Sequence, residues 1–178
     1  MKKKIIIGSR GSKLALIYAE KAKVELLKNE EIQSIEIKSI TTTGDTITNV
    51  RVSDHGGKGL FCKTIEQELL SKNIDLAVHA LKDMPTDETE ELLTNCFLER
   101  NNPREVLISN GNKNINDLKP NAVVGTSSFR REFQLKNIRE DLNYKLIRGN
   151  VDTRIKKLND NLYDAIILSY AGIKSLGL

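Results

Sequence analysis

Short apolar runs alternate with longer amphipathic stretches along the whole chain, and this alternation restricts the fold more than any other feature. Lys4–Ile7 reads as a short buried strand. Ser12–Asn29 reads as a helix, because Leu14, Ala15, Tyr18, Ala19, Ala22 and Leu26 recur at helical spacing. Ser34–Ile40 alternates Ile35 and Ile37 with Glu36 and Lys38, the period of a strand. Thr41–Lys58 is polar and glycine-containing, a long loop of the kind that is usually functional or mobile. Leu60–Ser71 predicts a helix through Phe61, Ile65 and Leu69, and Ile74–Leu81 a second buried strand, ended by Lys82-Asp83-Met84-Pro85. After the acidic stretch Asp87–Glu91, Leu92–Leu98 predicts a further strand.

Asn101-Asn102-Pro103, within Arg100–Arg104, is the best linker candidate. Beyond it the pattern predicts strands at Val106–Ser109, Ala122–Gly125, Tyr144–Ile147 and Asp164–Leu168. Helices are predicted near Asn116–Lys119 and at Phe129–Arg139 and Val151–Asn159. Such alternation implies an α/β fold with mainly parallel sheets. The break near residues 99–104 implies two lobes, 1–99 and 100–178. Ligands in such folds bind at the carboxyl ends of strands. The loops to inspect are therefore Gly8–Ser12, Lys82–Met84, Gly125–Ser128 and Arg148–Asn150.

Composition excludes several classes. With 178 residues, 39% hydrophobic and 29% charged, the chain is neither disordered nor collagen-like. Its longest apolar runs, Ile5-Ile6-Ile7 and Ala165-Ile166-Ile167-Leu168, fall far short of the roughly 20 residues a bilayer needs, so no membrane partner is expected. Lys2, Lys3 and Lys4 precede only those three isoleucines, less than the about 7–15 apolar residues of a signal peptide, so the expected location is the cytoplasm. Cys62 and Cys96 make no disulfide framework and join no metal-ligand cluster, so no metal site is expected. Both fall in helix or strand patterns and read as buried small hydrophobes. His55 and His79 have no partner in sequence and read as local or core residues. With no Trp and 4% aromatics, the chain lacks the stacking platforms of single-strand nucleic-acid binders.

Charge is local. Residues 125–157 hold nine lysines and arginines against four acids, a net +5, so the rest of this +4 chain is slightly acidic. Five of the nine arginines lie there. Arginine grips carboxylate or phosphate with two parallel hydrogen bonds, so this is an anion-handling region. Within it, Gly125-Thr126-Ser127-Ser128 follows a strand and opens a helix, where free N–H groups meet an anion; Ser128 also suits a plain N-cap, and both readings can hold together. Arg130 and Arg131 fall in the first turn, where the helix dipole disfavours cations; an external anion between them would explain this. Arg148-Gly149-Asn150 repeats the design, with Asn150 as the expected N-cap and Arg154 close by.

Arg10-Gly11-Ser12 is a third strand–turn–helix junction. Lys82-Asp83 places a carboxylate after an apolar strand, where it can stabilise a developing cation or exchange a proton; a turn residue before Met84-Pro85 is the plainer reading. Gly56-Gly57-Lys58-Gly59 lacks the Lys-Ser/Thr ending of a Walker A loop.

Taken in order, these segments resemble the porphobilinogen deaminase (hydroxymethylbilane synthase) family. The likeness is carried by Arg10-Gly11-Ser12-Lys13-Leu14-Ala15-Leu16, Thr43-Gly44-Asp45, Gly56-Gly57-Lys58-Gly59-Leu60-Phe61 and Val78-His79-Ala80-Leu81-Lys82-Asp83-Met84-Pro85. It continues through Gly125-Thr126-Ser127-Ser128-Phe129-Arg130-Arg131, Arg148-Gly149-Asn150-Val151 and Tyr163-Asp164-Ala165-Ile166-Ile167-Leu168. The resemblance implies the head-to-tail joining of four porphobilinogen molecules, each releasing ammonia, to give hydroxymethylbilane for tetrapyrrole and haem biosynthesis. It implies a dipyrromethane cofactor attached through a cysteine, a cytoplasmic monomer and no nucleic-acid partner. It implies a two-lobe architecture of the type II periplasmic-binding-protein kind.

By the same resemblance Asp83 is the catalytic aspartate, assisted by Lys82 and Arg10. Ser12, Lys58, Asp83, Thr126, Ser127, Ser128, Arg130, Arg131 and Gly149 hold the cofactor. Arg10, Arg148 and Arg154 bind substrate carboxylates. Departures exist: Asp54, followed by His55, stands where the family usually has a basic residue, and Tyr18 where many members have glutamine. The family's third domain, with the attachment cysteine, is not in this sequence, and neither Cys62 nor Cys96 falls in its motif. The second lobe is expected to be incomplete and the chain an N-terminal fragment of low or no activity. Two rival readings are a di- or tricarboxylate-binding protein and, last, a nucleic-acid binder using residues 125–157.

Overall fold

The computed structural model describes residues 3–46 and 59–178. The fold is α/β, and the described residues divide into two compact units, one running to Arg100 and the other from Asn101 to Leu178.

In the first unit, strand β1 (Lys3–Arg10) is followed by helix α1 (Lys13–Leu26), strand β2 (Ile32–Ile40), the one-turn helix α2 (Thr43–Thr46), helix α3 (Lys63–Leu70) and the short strand β3 (Leu76–Ala77). The sheet order is β2-β1-β3, parallel throughout. Central β1 is apolar on both faces, as a sheet covered on two sides requires. Ile7 packs with Ala19 and Ala22 of α1 and Ile35 of β2, while Ile6 packs with Ile40, Ile65 and Ile74 on the α3 side. Ser12 caps α1, its side chain accepting from the Ala15 N–H at 3.3 Å.

The second unit contains β4 (Glu105–Ser109), β5 (Val123–Gly125), α4 (Phe129–Lys136), β6 (Asn143–Lys145), α5 (Val151–Asn159), β7 (Ala165–Ser169) and α6 (Tyr170–Ser175). Its order is β4-β7-β5-β6. The apolar run of β7 is buried on both faces. Ala165 and Ile167 join Val124 and Leu142, whereas Ile166 and Leu168 join Ile147 and Leu158.

Several expectations need correction, among them the loop expected from Thr41, which opens with the helical turn Thr43–Thr46. β4 runs antiparallel to β7, so this sheet is mixed. Leu92–Leu98 is not a strand; a strand exists only where a second edge pairs with it, and Leu93 is instead 81% exposed. Cys96 is exposed with it and is not a core residue. The predicted strand Ile74–Leu81 shrinks to Leu76–Ala77, because only Ile7 and Gly8 of β1 face it in register. Among the described residues no helix is long and apolar enough to cross a membrane.

Candidate functional site

Two groups of predicted residues are built separately, one in each unit. In the first, Arg10 ends β1 and Asp83 sits in a single 3-10 turn, Leu81–Asp83, rather than directly on a strand end. Their charges lie 3.8 Å apart, from Arg10 Nη1 to Asp83 Oδ2, too long for a hydrogen bond. The guanidinium is held elsewhere. Its Nε donates to Asp45 Oδ1 at 3.1 Å and its Nη2 pairs with the same carboxylate. The Phe61 ring lies beneath it, 4.1 Å from centroid to Cζ. Thr42 completes the clamp, giving its N–H (3.1 Å) and Oγ1–H (2.8 Å) to Asp45 Oδ2. Burial pushes the Asp45 carboxyl up, but the Arg10 and Thr42 hydrogen bonds outweigh it and hold the group below its ordinary value.

Arg10 is thus neutralised by Asp45, not by Asp83. Among the described residues no hydrogen bond reaches the Asp83 carboxylate, which keeps its acceptor capacity beside a fixed cation. Lys82 next to it is exposed. Asp45 and Phe61 did not figure as site residues in the sequence reading. Both lie in motifs that carry the family resemblance, Thr43-Gly44-Asp45 and Gly59-Leu60-Phe61. Lys58, Asp54 and His55 lie outside the described residues.

In the second unit, Thr126 is buried beyond β5; its Oγ1 accepts from the Ser128 N–H at 3.2 Å. Ser128 caps α4 and accepts from the Arg131 N–H at 3.4 Å, and Ser127 is half-buried between them. The two first-turn arginines need no external anion, contrary to expectation. Glu105 of β4 bridges them, with Oε1 2.5 Å from Arg130 Nη2 and Oε2 2.7 Å from Arg131 Nη2. Burial raises the Glu105 carboxyl, but hydrogen bonds from Arg130 and Arg131 more than offset it and hold it low. Arg131 also donates from Nη1 to the Ile167 carbonyl at 3.1 Å, while its buried Nε finds no partner.

Gly149 adopts φ +112°, a conformation glycine tolerates, and its carbonyl accepts from Arg154 Nε at 2.8 Å. Asn150 occupies the N-cap of α5 without a side-chain cap bond. Burial, then repulsion from Arg148 and Arg131, pushes the Arg154 guanidinium down to about 10. Arg131 and Arg148 therefore each sit close enough to Arg154 to oppose its charge, and Glu105 contacts Arg131. This donor set complements a ligand bearing several carboxylates.

The family model for "Porphobilinogen deaminase, dipyromethane cofactor binding domain" matches residues 5–178. The chain belongs to the porphobilinogen deaminase family. It is 48% identical over 176 residues to the porphobilinogen deaminase of Chlorobium chlorochromatii (strain CaD3), covering 99% of this chain and 56% of that protein. It is 50% identical over 175 residues to that of Lysinibacillus sphaericus (strain C3-41), covering 98% and 56%. The chain thus spans about half the length of the curated relatives it matches. A more distant likeness is to the solved structure of an ancestral amino acid-binding protein, a precursor of cyclohexadienyl dehydratase, at TM-score 0.45 and 15% identity, over 98% of this chain and 74% of that one. The matching domain is described as one that binds a dipyrromethane cofactor. The half-buried arginines and the unpartnered Arg131 Nε have the chemistry to receive it. Cys62 does not suit covalent attachment: it is fully buried, and burial pushes its thiol up to about 11.

Proposed function

We propose that the chain supplies the catalytic and carboxylate-binding residues of a hydroxymethylbilane synthase, which joins four porphobilinogen molecules head to tail with loss of ammonia. The observation that carries the proposal is the carboxylate of Asp83, 3.8 Å from a guanidinium whose charge is already taken up by Asp45.

The chemistry needs a fixed anion. As ammonia leaves porphobilinogen, positive charge develops on the pyrrole ring, and the ring N–H becomes a stronger donor. Asp83 accepts that N–H and stabilises the charge without reorganising, the condition under which electrostatic stabilisation is largest. Its free carboxylate oxygen can take the proton released when the new carbon–carbon bond is complete. Arg10, held by Asp45, binds a substrate carboxylate beside Asp83, and Lys82 gives a second cation at the exposed edge.

In the other unit, Arg131, Arg148 and Arg154 bind acetate and propionate groups, with Arg130 at the exposed end. Thr126, Ser127, Ser128 and Gly149 let a ligand approach the backbone. When bound, dipyrromethane supplies the free pyrrole carbon to which the first substrate is joined. Ser12, Lys58, Asp83, Thr126, Ser127, Ser128, Arg130, Arg131 and Gly149 are the residues that would hold it, and neither Cys62 nor Cys96 would attach it. The proposal includes the lobe division at residues 99 and 100, a monomer, and a cytoplasmic location without nucleic acid.

The test is stoichiometry. The product of the whole gene, incubated with porphobilinogen, should release four molecules of ammonia per linear tetrapyrrole formed. Binding of porphobilinogen without ammonia release would overturn the enzyme reading and leave a carboxylate-binding protein.

A further inference from the structure

One cluster of donor atoms in the first unit has no part in the proposed reaction. Cys62, at the start of α3, is fully buried. Its Sγ lies 3.5 Å from Met84 Sδ and 3.8 Å from His79 Nδ1, and its S–H points to the Asp83 carbonyl oxygen at 3.1 Å. Donors that share one ion, through bonds of about 2.3 Å to sulfur and about 2.0 Å to nitrogen, stand roughly 3.5–4.0 Å apart. Both separations from Sγ fall in that window.

Burial, the largest influence on both groups, disfavours charge there, whereas the nearby carboxylates favour a cation. Glu66 and Asp83 act on both Cys62 and His79, against Arg10, whose charge is offset by Asp45. Burial holds the His79 imidazole below its ordinary value. Its buried Nε2 makes no hydrogen bond, so nothing fixes the tautomer and Nδ1 can present a lone pair.

We propose that Cys62, His79 and Met84 form a binding site for a soft monovalent d10 cation, copper(I). The thioether decides the class, since thiolate and thioether donors together select copper(I) over harder ions. Among the described residues no three His, Cys, Asp or Glu side chains cluster as a metal site, so zinc has no donor set of its own. Binding is an exchange without electron transfer. A copper–sulfur bond replaces the S–H bond, the proton leaves to solvent, and the Asp83 carbonyl loses its S–H donor.

The test is an anaerobic copper(I) titration against the competing chelator bicinchoninate. It uses the full chain carrying Cys96→Ser, which removes the exposed thiol. One copper(I) per chain should be retained, and X-ray absorption should show two sulfur neighbours and one nitrogen. Met84→Leu, which keeps side-chain volume, should lower affinity by at least the roughly tenfold that losing a supporting group costs, with the urea midpoint unchanged. Cys62→Ser should abolish retention. A Cys96→Ser chain that yields all its copper(I) to the chelator overturns the proposal, as does wild-type affinity in the Met84→Leu chain.

Discussion

Two carboxylates, Asp45 and Glu105, decide how the arginines of this chain are presented. Asp45 clamps Arg10 together with Thr42 and Phe61. Replacing Asp45 with Asn should cost about 1–3 kcal/mol, the range for a partly buried hydrogen bond to a charged group, measured by urea unfolding. Both carboxyls are held low in the folded chain, so each binds its proton more weakly folded than unfolded. Their stabilisation is complete above the unfolded values of about 3.9 and 4.3 and is lost as pH falls through the lower folded values. Stability should therefore be level from neutral pH to about 5 and fall below about 4, and Asp45→Asn should flatten part of that fall. Glu105 competes with any ligand carboxylate for Arg130 and Arg131. Glu105→Gln should raise affinity for a dicarboxylate such as succinate by about fivefold, about 1 kcal/mol, in a calorimetric titration. Residue types and local spacing made the arginines legible as anion binders. They could not show that Glu105, 25 residues before Arg130, already bridges two of them, because pairing across a sheet leaves no local signal.

At the scale of elements, the four-residue helix α2 carries more of the site than its length suggests. Gly44 is buried there, and a Cβ on it would lie 2.3 Å from Phe61 Cε1 and 2.5 Å from Cδ1. A rigid ring cannot yield that distance without leaving the Arg10 guanidinium. Gly44→Ala should cost about 1–3 kcal/mol, the usual penalty of overpacking, in the urea midpoint. Elements with strong internal periodicity were readable within a few residues, and α5 is Val151–Asn159 in both sequence and structure. The failures share one physical cause. Leu92–Leu98 has the composition of a strand but no partner edge, β3 keeps only the residues that β1 can pair, and β4 pairs antiparallel with a strand some 60 residues on. Helix α6 was missed because Gly172 sits within it; Ser169 caps it, accepting from the Gly172 N–H at 3.3 Å.

For the molecule as a whole, the basic excess of residues 125–157 has two interpretations that salt separates. A nucleic-acid binder with 6–10 phosphate contacts loses about 10³–10⁵ in affinity between about 50 and 200 mM salt. Half-buried arginines meeting a few carboxylates should lose less than about tenfold over the same range, because buried pairs are screened weakly. Affinities for porphobilinogen and for a duplex oligonucleotide, each measured across that range, distinguish them. The described residues divide into two compact units, and the alternation of elements with Asn101-Asn102-Pro103 is the sequence feature that suggests a lobe boundary. The central claim rests on Asp83, and its most direct test is turnover of the Asp83→Asn variant of the whole gene product. The amide fills the same space, so circular dichroism and the urea midpoint should match the wild type. Hydroxymethylbilane formation should fall by roughly 100-fold or more, as loss of a positioned charge and proton acceptor entails. Turnover equal to that of the wild type would contradict the account.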